Sequence, residues 1–362
     1  MKWKAKVIAY ATIVFNFLLI ISYLAFLSDP AKNTWIALAG LLYPAILFLN
    51  LVLFLIWFFK KNIYFLPTLI IIILGMYHHS RFIQLNPKIS SNISYQDKLK
   101  VMSFNVRLFD LYNWNKNAEI KSKIIALIKD QKPDIVCLQE YFFDNTRKFL
   151  TRENILEELS FKYYHESFSS ESNMNSMFGL ATFSKYPIIN KEKIEFNDEK
   201  SNHCMWSDIV FKKDTLRIFN AHLGSIRFNY SDYKIIGGKG RPIRSNQKKP
   251  KQNIVNKLKI GFRNRSIQLK KLIPVIKDSP FKKIICCDLN DTPISYAYNK
   301  FNRLYVDAFT KSGFGIGGTY IGKIPFLRID YIWHDKTLES FNFQTHQEPL
   351  SDHKAISAEF IF

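Results

Sequence analysis

Acidic residues are almost missing from the first 98 positions of this 362-residue chain, where Asp29 and Asp97 are the only two. Such a stretch cannot present the mixed-charge surface of a soluble domain, so the chain divides early into an apolar part and a part of ordinary soluble composition. Cysteine is scarce as well. Cys137, Cys204, Cys286 and Cys287 are too few, and too deeply set in apolar runs, for a disulfide framework or a zinc site, and read as small core residues. Internal repeats are lacking. Positive charge is abundant: 51 Lys and Arg against 30 Asp and Glu give a formal net charge of +21, and the part after residue 98 stays basic although it holds nearly all the acids. That balance calls for an anionic partner, whether phosphate esters, nucleic acid or an acidic membrane surface.

The apolar part holds two runs that reach the roughly 20 residues needed to cross a bilayer. Residues 5–27 are interrupted only by Lys6, and residues 34–59 carry no charge. A third run, 62–80, is also uncharged, but its strongly apolar portion, 63–77, is short and contains Pro67. The first run is too long for a signal peptide and lacks a small-x-small pattern before Ser28, so it is expected to stay as an anchor. Lys2, Lys4 and Lys6 precede it, and Lys60 with Lys61 follow the second run, which puts the N-terminus and the second loop in the cytoplasm. A third span then carries the remainder outside. The expectation is an integral protein of a bacterial-type inner (plasma) membrane, with an anchor of about three helices over 1–80, a polar tether over 81–97 and an extracytoplasmic domain over 98–362.

From residue 98 strand and helix patterns alternate. Strands are predicted over 99–108, 134–139 (closed by Glu140), 178–183, 204–211, 216–223, 284–287, 329–333 and 355–362, and helices over 118–129 and 145–159. Strands outnumber helices and many are apolar throughout, so two packed sheets flanked by helices fit better than a doubly wound parallel sheet. Residues 234–283 hold sixteen Lys and Arg against one acid, Asp278. Their first half, with Gly237, Gly238, Gly240 and Pro242, reads as a loop, and 253–277 as a basic-faced helix that Pro274 should kink or end. This segment suits contact with an anionic surface.

Polar residues recur at the ends of the apolar strands: Asn105, Glu140, His222, Asp288 with Asn290, Asp330, and Asp352 with His353. Asp288 and Asn290 alternate at period two, which on a continuing strand puts a carboxylate and an amide side by side, able to orient a water. Buried carboxylates must be paired or bound to a cation, and an oxygen donor set without a Cys/His cluster points to Mg²⁺ or Mn²⁺.

Taken in order, N-x-R at Asn105 and Arg107, QE at Glu140, N-x-HL at His222, D-x-N-D from Asp288 to Asp291, R-x-DY at Asp330 and the terminal SDH resemble the endonuclease/exonuclease/phosphatase superfamily over residues 99–362. GLATFSKYPI at 179–188 is similar to that family's wording too. Two departures stand out: Cys287 where the family usually has Gly, and a long basic insertion, 225–262. The resemblance implies an α/β (α+β) fold, a four-layered α/β/β/α sandwich of two mixed sheets with one site at the strand ends. It implies that Glu140, Asn105 and Asp352 hold Mg²⁺, that Asp288 and Asn290 orient the attacking water, and that His222 and His353, the latter paired to Asp330, form an imidazole pair at the phosphate. Arg107 and Asp291 support them. The expected activity is phosphoester hydrolysis. A lipid headgroup or small phosphoester and a nucleic acid both stay open as substrate, and a non-catalytic phosphate-binding scaffold is the rival from another class, opposed by the complete set of polar residues. A lipid bilayer is the expected partner.

Overall fold

The computed structural model describes residues 3–86, 98–115, 117–169, 175–196, 201–226, 254–322 and 327–361. Most of the basic insertion and the later tether therefore lie outside the described residues. Two six-stranded sheets form the body. One has the order β10 (Val306–Asp307), β12 (Asp330–His334), β9 (Lys282–Asp288), β8 (Asp214–His222), β7 (His203–Phe211), β6 (Ile188–Glu195). The other has the order β13 (Glu339–Thr345), β14 (Ile356–Ile361), β2 (Leu99–Asn105), β3 (Ile135–Asp144), β5 (Ser176–Ser184), β4 (Tyr163–Phe168). Among the described residues only β8–β9 and β2–β3 pair in parallel, and the other neighbours in these sheets are antiparallel.

Strand alternation sorts the side chains into layers. On β2, Leu99 and Val101 face the other sheet, where they meet Ile218, Ile284, Cys286 and Ile332, while Met102 and Phe104 face helices α6 (Ile120–Gln131) and α7 (Arg152–Glu158). On β9, Ile285 and Cys287 face outward, against α8 (Ile254–Lys277) and α9 (Tyr296–Asn302). The result is the expected four-layered sandwich, and the four cysteines are buried and free within it. Four strands of these two sheets escape the periodicity reading: β4, β6, β10 and β13. Each is a sheet edge, where polar side chains face solvent and blur the alternation. The helix expected over 145–159 is confined to α7, because the Asp144 carboxylate accepts from the N–H groups of Thr146, Lys148 and Phe149 and holds a turn there. Pro274 lies inside α8 without ending it.

At the centre a polar clamp joins the sheets. Gln139 donates to Asn220 at 2.8 Å and to Ser103 at 3.1 Å, and the Asn220 amide donates to the carbonyls of Leu138 and Ala181.

The N-terminal part is a bundle of α1 (Trp3–Tyr23), α2 (Thr34–Leu41), α3 (Tyr43–Phe59), α4 (Phe65–Leu74) and α5 (Met76–His79). The helical stretch Trp3–Phe26, 24 residues, is long and apolar enough to cross a membrane, and only 28% of its apolar window is buried. The second expected span is not straight: it breaks ahead of Pro44, and its halves meet at 59°. The third is split at Gly75, and α4 alone spans about 15 Å, half a bilayer core. Polar contacts tie these helices together: Trp57 Nε1 donates to Thr12, Asn16 to Thr68, and Asn50 to the carbonyl of Phe15. The tether expected from residue 81 is a docked element at its start. Arg81 is buried, and β1 (Ile83–Leu85) pairs with β11 (Phe314–Ile316).

Asn220→Ala should cost roughly 2–4 kcal/mol, because it strands the Gln139 amide and two carbonyls in the core. Denaturant unfolding of the purified chain measures this, and an unchanged midpoint would remove the clamp.

Candidate active site

Four strands point one polar residue each into the gap between the sheets, at the same end. Alternation puts Asn105 on the inward face with Val101, Asp288 with Cys286, Asp330 with Ile332, and His222 with Ile218. Register does the rest: Asp330 pairs across from Asp288, and His222 lies beside Asp288, so three strands line up one row. Asp288 is fully buried at its centre. Its Oδ2 accepts from the Asn105 amide at 2.8 Å and lies 3.5 Å from His222 Nε2 and 3.9 Å from His353 Nε2. The two imidazoles thus flank one carboxylate oxygen.

Glu140 reaches the same place by a different route. The expected strand end is instead a bulge: β3 continues to Asp144, its register with β5 shifts between Leu138 and Tyr141, and Glu140 takes the left-handed conformation at φ 48°. A bulge re-aims the side chain, here toward Asn105 at 3.2 Å and His222 at 3.9 Å. The strain of a left-handed Glu is the local cost of that aim. Its side chain keeps 34% of its surface open at the mouth.

Asn290 departs from the alternation predicted for it. The strand stops at Asp288, whose Oδ1 accepts from Asn290 N–H, and Asn290 turns left-handed at φ 54° with its amide donating to Leu223 O. A carboxylate one residue short of a turn competes with the ladder for that N–H, and so ends the strand. Asn290 ties the β9 loop to the end of β8. Asp291 points away from the row, to Arg265 Nε of α8 at 3.0 Å.

His353 closes the site from the far side. Its Nδ1 lies 3.0 and 2.9 Å from the two oxygens of Asp330. Asp352 pairs with Arg107 Nε at 3.3 Å, and the Arg107 guanidinium lies 4.5 Å from the Trp114 ring centre. Asn105 gives its oxygen to Arg107 N–H and its nitrogen to the carboxylates, so direct ligation by that oxygen requires the amide to turn over. Sequence reasoning missed several supporting groups. Arg265 and Gln268, one turn apart on α8, bind the carbonyl and N–H of Gly224, and Thr319 Oγ1 accepts from the N–H groups of Ile329 and Asp330. In sequence the two α8 residues are indistinguishable from its solvated basic face.

Charge is crowded here. Burial pushes the Asp288 carboxyl up, with the Asp330 charge adding to the effect against the opposing histidines. Desolvation raises Glu140 as well, reinforced by Asp352. For His353 burial alone would lower the pKa, but Asp330 and Asp288 outweigh it and hold the ring well above the usual histidine value. Asp288, Asp330 and His353 bring ligand atoms within 4.8 Å of one another. The surrounding donors are mostly carboxylate oxygens, and Arg107 is spent on Asp352, so the residues present fit a hard divalent cation.

A two-sheet sandwich with acids and imidazoles at its strand ends is the fold of a family whose members hydrolyse phosphate esters. The chain belongs to the Endonuclease/Exonuclease/phosphatase family, whose model matches residues 102–353. A domain of unknown function matches residues 5–82. No curated protein matches the chain. Among solved structures, the human Nocturnin catalytic domain with bound sulfate anion is 19% identical, with a TM-score of 0.52 over 74% of this chain and 94% of that one. The endonuclease/exonuclease/phosphatase from Bacteroides vulgatus is 15% identical, with a TM-score of 0.55 over 73% and 98%. A humanized D. rerio TDP2 is 16% identical, with a TM-score of 0.50 over 74% and 100%. At these identities the likeness speaks to the fold.

The His353 ring should titrate above an ordinary histidine by NMR, and Asp330→Asn should move that titration to lower pH, since the neighbouring charge that favours the imidazolium is removed. An unmoved titration would contradict the pairing.

Proposed function

We propose that this protein is a membrane-anchored, divalent-metal-dependent phosphoesterase that cleaves a phosphate ester by in-line attack of water. The observation that carries the reading is the row Asp330–Asp288–His222 with Glu140 across from it, whose three acids have no Lys or Arg partner among the described residues. Glu140 and Asp352 are the residues to hold Mg²⁺ or Mn²⁺, with Asn105 between Glu140 and Asp288. Such a cation supplies charge neutralisation at a non-bridging phosphate oxygen.

The protein's own groups then divide the work. Asp288, its basicity raised by burial, orients the attacking water and takes its proton. Asn290 keeps that carboxylate in place by fastening its loop to Leu223. As the new P–O bond forms and the ester P–O bond breaks, the leaving oxygen needs a proton, and the His353 imidazolium held by Asp330 is suited to give it. Among the described residues His222 Nε2 is buried without a hydrogen-bond partner, and it faces the same space, which fits it to the transferring phosphoryl group. Arg107 and Asp291 support the frame. A nucleic-acid substrate is the second reading, favoured by the basic start of α8 at Lys257, Lys259 and Arg263, and it predicts a steep loss of binding with salt.

The anchor, over about residues 1–80, accounts for the apolar outer surface of α1, α3 and α4, where Phe17, Phe48 and Ile70 are exposed. The domain contacts the bundle at Phe26 and Asp29, the end of α1 remote from the N-terminus. That arrangement supports an extracytoplasmic domain in a bacterial-type plasma membrane.

Glu140→Gln and Asp288→Asn should each abolish metal-dependent hydrolysis across a panel of phospholipids, inositol phosphates and nucleic acids, with the fold retained. Turnover at the native rate in either would sink the assignment. Asp330→Asn should cost roughly 10²-fold and bring the alkaline limb of kcat/KM to lower pH, because activity that needs protonated His353 is lost as pH rises through its pKa. A reporter fused after Phe362 should be active outside the cytoplasm; a cytoplasmic signal would overturn the three-pass topology.

A further inference from the structure

The two-stranded ribbon of β1 and β11 has one apolar face. Ile83 pairs with Ile316 and Leu85 with Phe314, so period two puts all four side chains on one side. They are 51%, 50%, 80% and 64% exposed, respectively. The ribbon is fastened to the anchor. Gly317 N–H donates to Phe82 O at 3.1 Å, the Phe82 ring lies 5.2 Å from that of Tyr43, and Arg81 donates to Pro293 O. This apolar face therefore begins where the third hydrophobic segment ends.

A cleft of ≈ 390 Å³ is lined by Ile316 of the ribbon together with Tyr320, Ile321, Gln347 and Lys354. Two of its lining residues touch the site. Tyr320 bridges to His353 with ring centres 5.8 Å apart, and Ile321 N–H donates to Asp352 O at 2.7 Å. An apolar side chain at Ile316 and a cationic one at Lys354 thus line one cleft, whose Tyr320 packs edge-on against the ring of His353. That pairing of apolar and cationic lining suits an amphiphile with acyl chains and a phosphate. A second copy of the chain is a poor occupant: four side chains fall far short of the roughly 800 Å² per partner of a stable dimer.

We propose that the apolar face of the ribbon lies in the headgroup–acyl boundary of the bilayer, and that the cleft opening at Ile316 admits the phosphate of a membrane lipid to His353. Lipid phosphoesters are then the substrate class, an inference that rests on the phosphoesterase reading above. The ribbon continues the apolar surface of the anchor, and Phe314 and Leu85 act as its wedge.

Two measurements on the full chain, reconstituted in vesicles of phosphatidylethanolamine and phosphatidylglycerol, test it. The native cysteines are buried, so Leu85→Cys and Phe314→Cys can be labelled selectively with a polarity-sensitive fluorophore. Both labels should be quenched by brominated acyl chains, while a label at Lys336→Cys, beside Asp335 at the opposite end of β9, should not. Absence of quenching, or a blue shift without it, which would signal a protein contact, overturns the placement. In the second arm, Leu85→Asp with Phe314→Asp should lower turnover of the vesicle lipids at least about tenfold while leaving hydrolysis of soluble bis(4-nitrophenyl) phosphate unchanged. Equal losses on both substrates would mean a folding effect and overturn it. Native protein that cleaves the soluble diester and no lipid overturns the substrate class alone, whereas native protein that cleaves neither overturns the phosphoesterase reading.

Discussion

A fully buried carboxylate, Asp288, dictates the arrangement around it. Burying an unpaired charge costs several kcal/mol even after relaxation, so the fold must bring compensating groups to that point. It does so from both sheets: Asn105 from β2, His222 from β8 and, past the row, His353 held by Asp330. None of these contacts is local in sequence. They exist because two sheets stack with their inward faces in phase, and because Gln139 and Asn220 fix the sheets to each other one step below the site. The energy that holds Asp288 in place is therefore largely the energy of the inter-sheet core.

The same stretch of chain joins the site to the N-terminal bundle. Seven residues span Asp288 to Ile294, and Ile294 is buried with Leu19, Tyr43 and Ile46 of the bundle. Beside it, Arg81 lies over the rings of Tyr77 and Tyr298 and gives one hydrogen bond to Pro293, without a carboxylate among its described contacts. A buried guanidinium held mainly by aromatic faces is a costly choice unless its position matters. Asp29 adds contacts to Ser266 and Lys270 on α8, the helix whose Arg265 holds Asp291. Hydrophobic bundle, α8 and the loop from Asp288 to Ile294 form one connected unit, so the site's distance from the bundle is set by packing and not by a free linker.

Much of the site is legible in the chain because short apolar strands end in polar residues, and a buried strand that ends in Asp, Asn or His announces the end of its own burial. Asn105, His222, Asp288 and Asp330 are found this way, and the inward phase of each follows from counting back by two into the core. The method fails where the backbone leaves the extended state. Glu140 sits in a bulge and Asn290 in a left-handed turn, and period-two counting assigns each the wrong direction or the wrong partner. Edge strands β4, β6, β10 and β13 fail for a related reason, since alternation is only as clear as the burial of both faces. Helix signals fared better for α6 and α8 than for the span with Pro44, where the bend depends on a single residue ahead of a proline.

Sequence alone singled out the polar residues at the strand ends, marked which segments are strongly apolar, and determined that the body is built from stacked sheets, because these follow from composition and from periods of two and 3.6 along the chain. Tertiary structure alone decided which of those residues meet. Register placed Asp330, Asp288 and His222 in one row, a bulge turned Glu140 toward it, and pairing of β1 with β11 joined residues more than 200 positions apart into one apolar face. Strand register and loop closure are set by contacts distant in sequence, whose free energy no local pattern encodes.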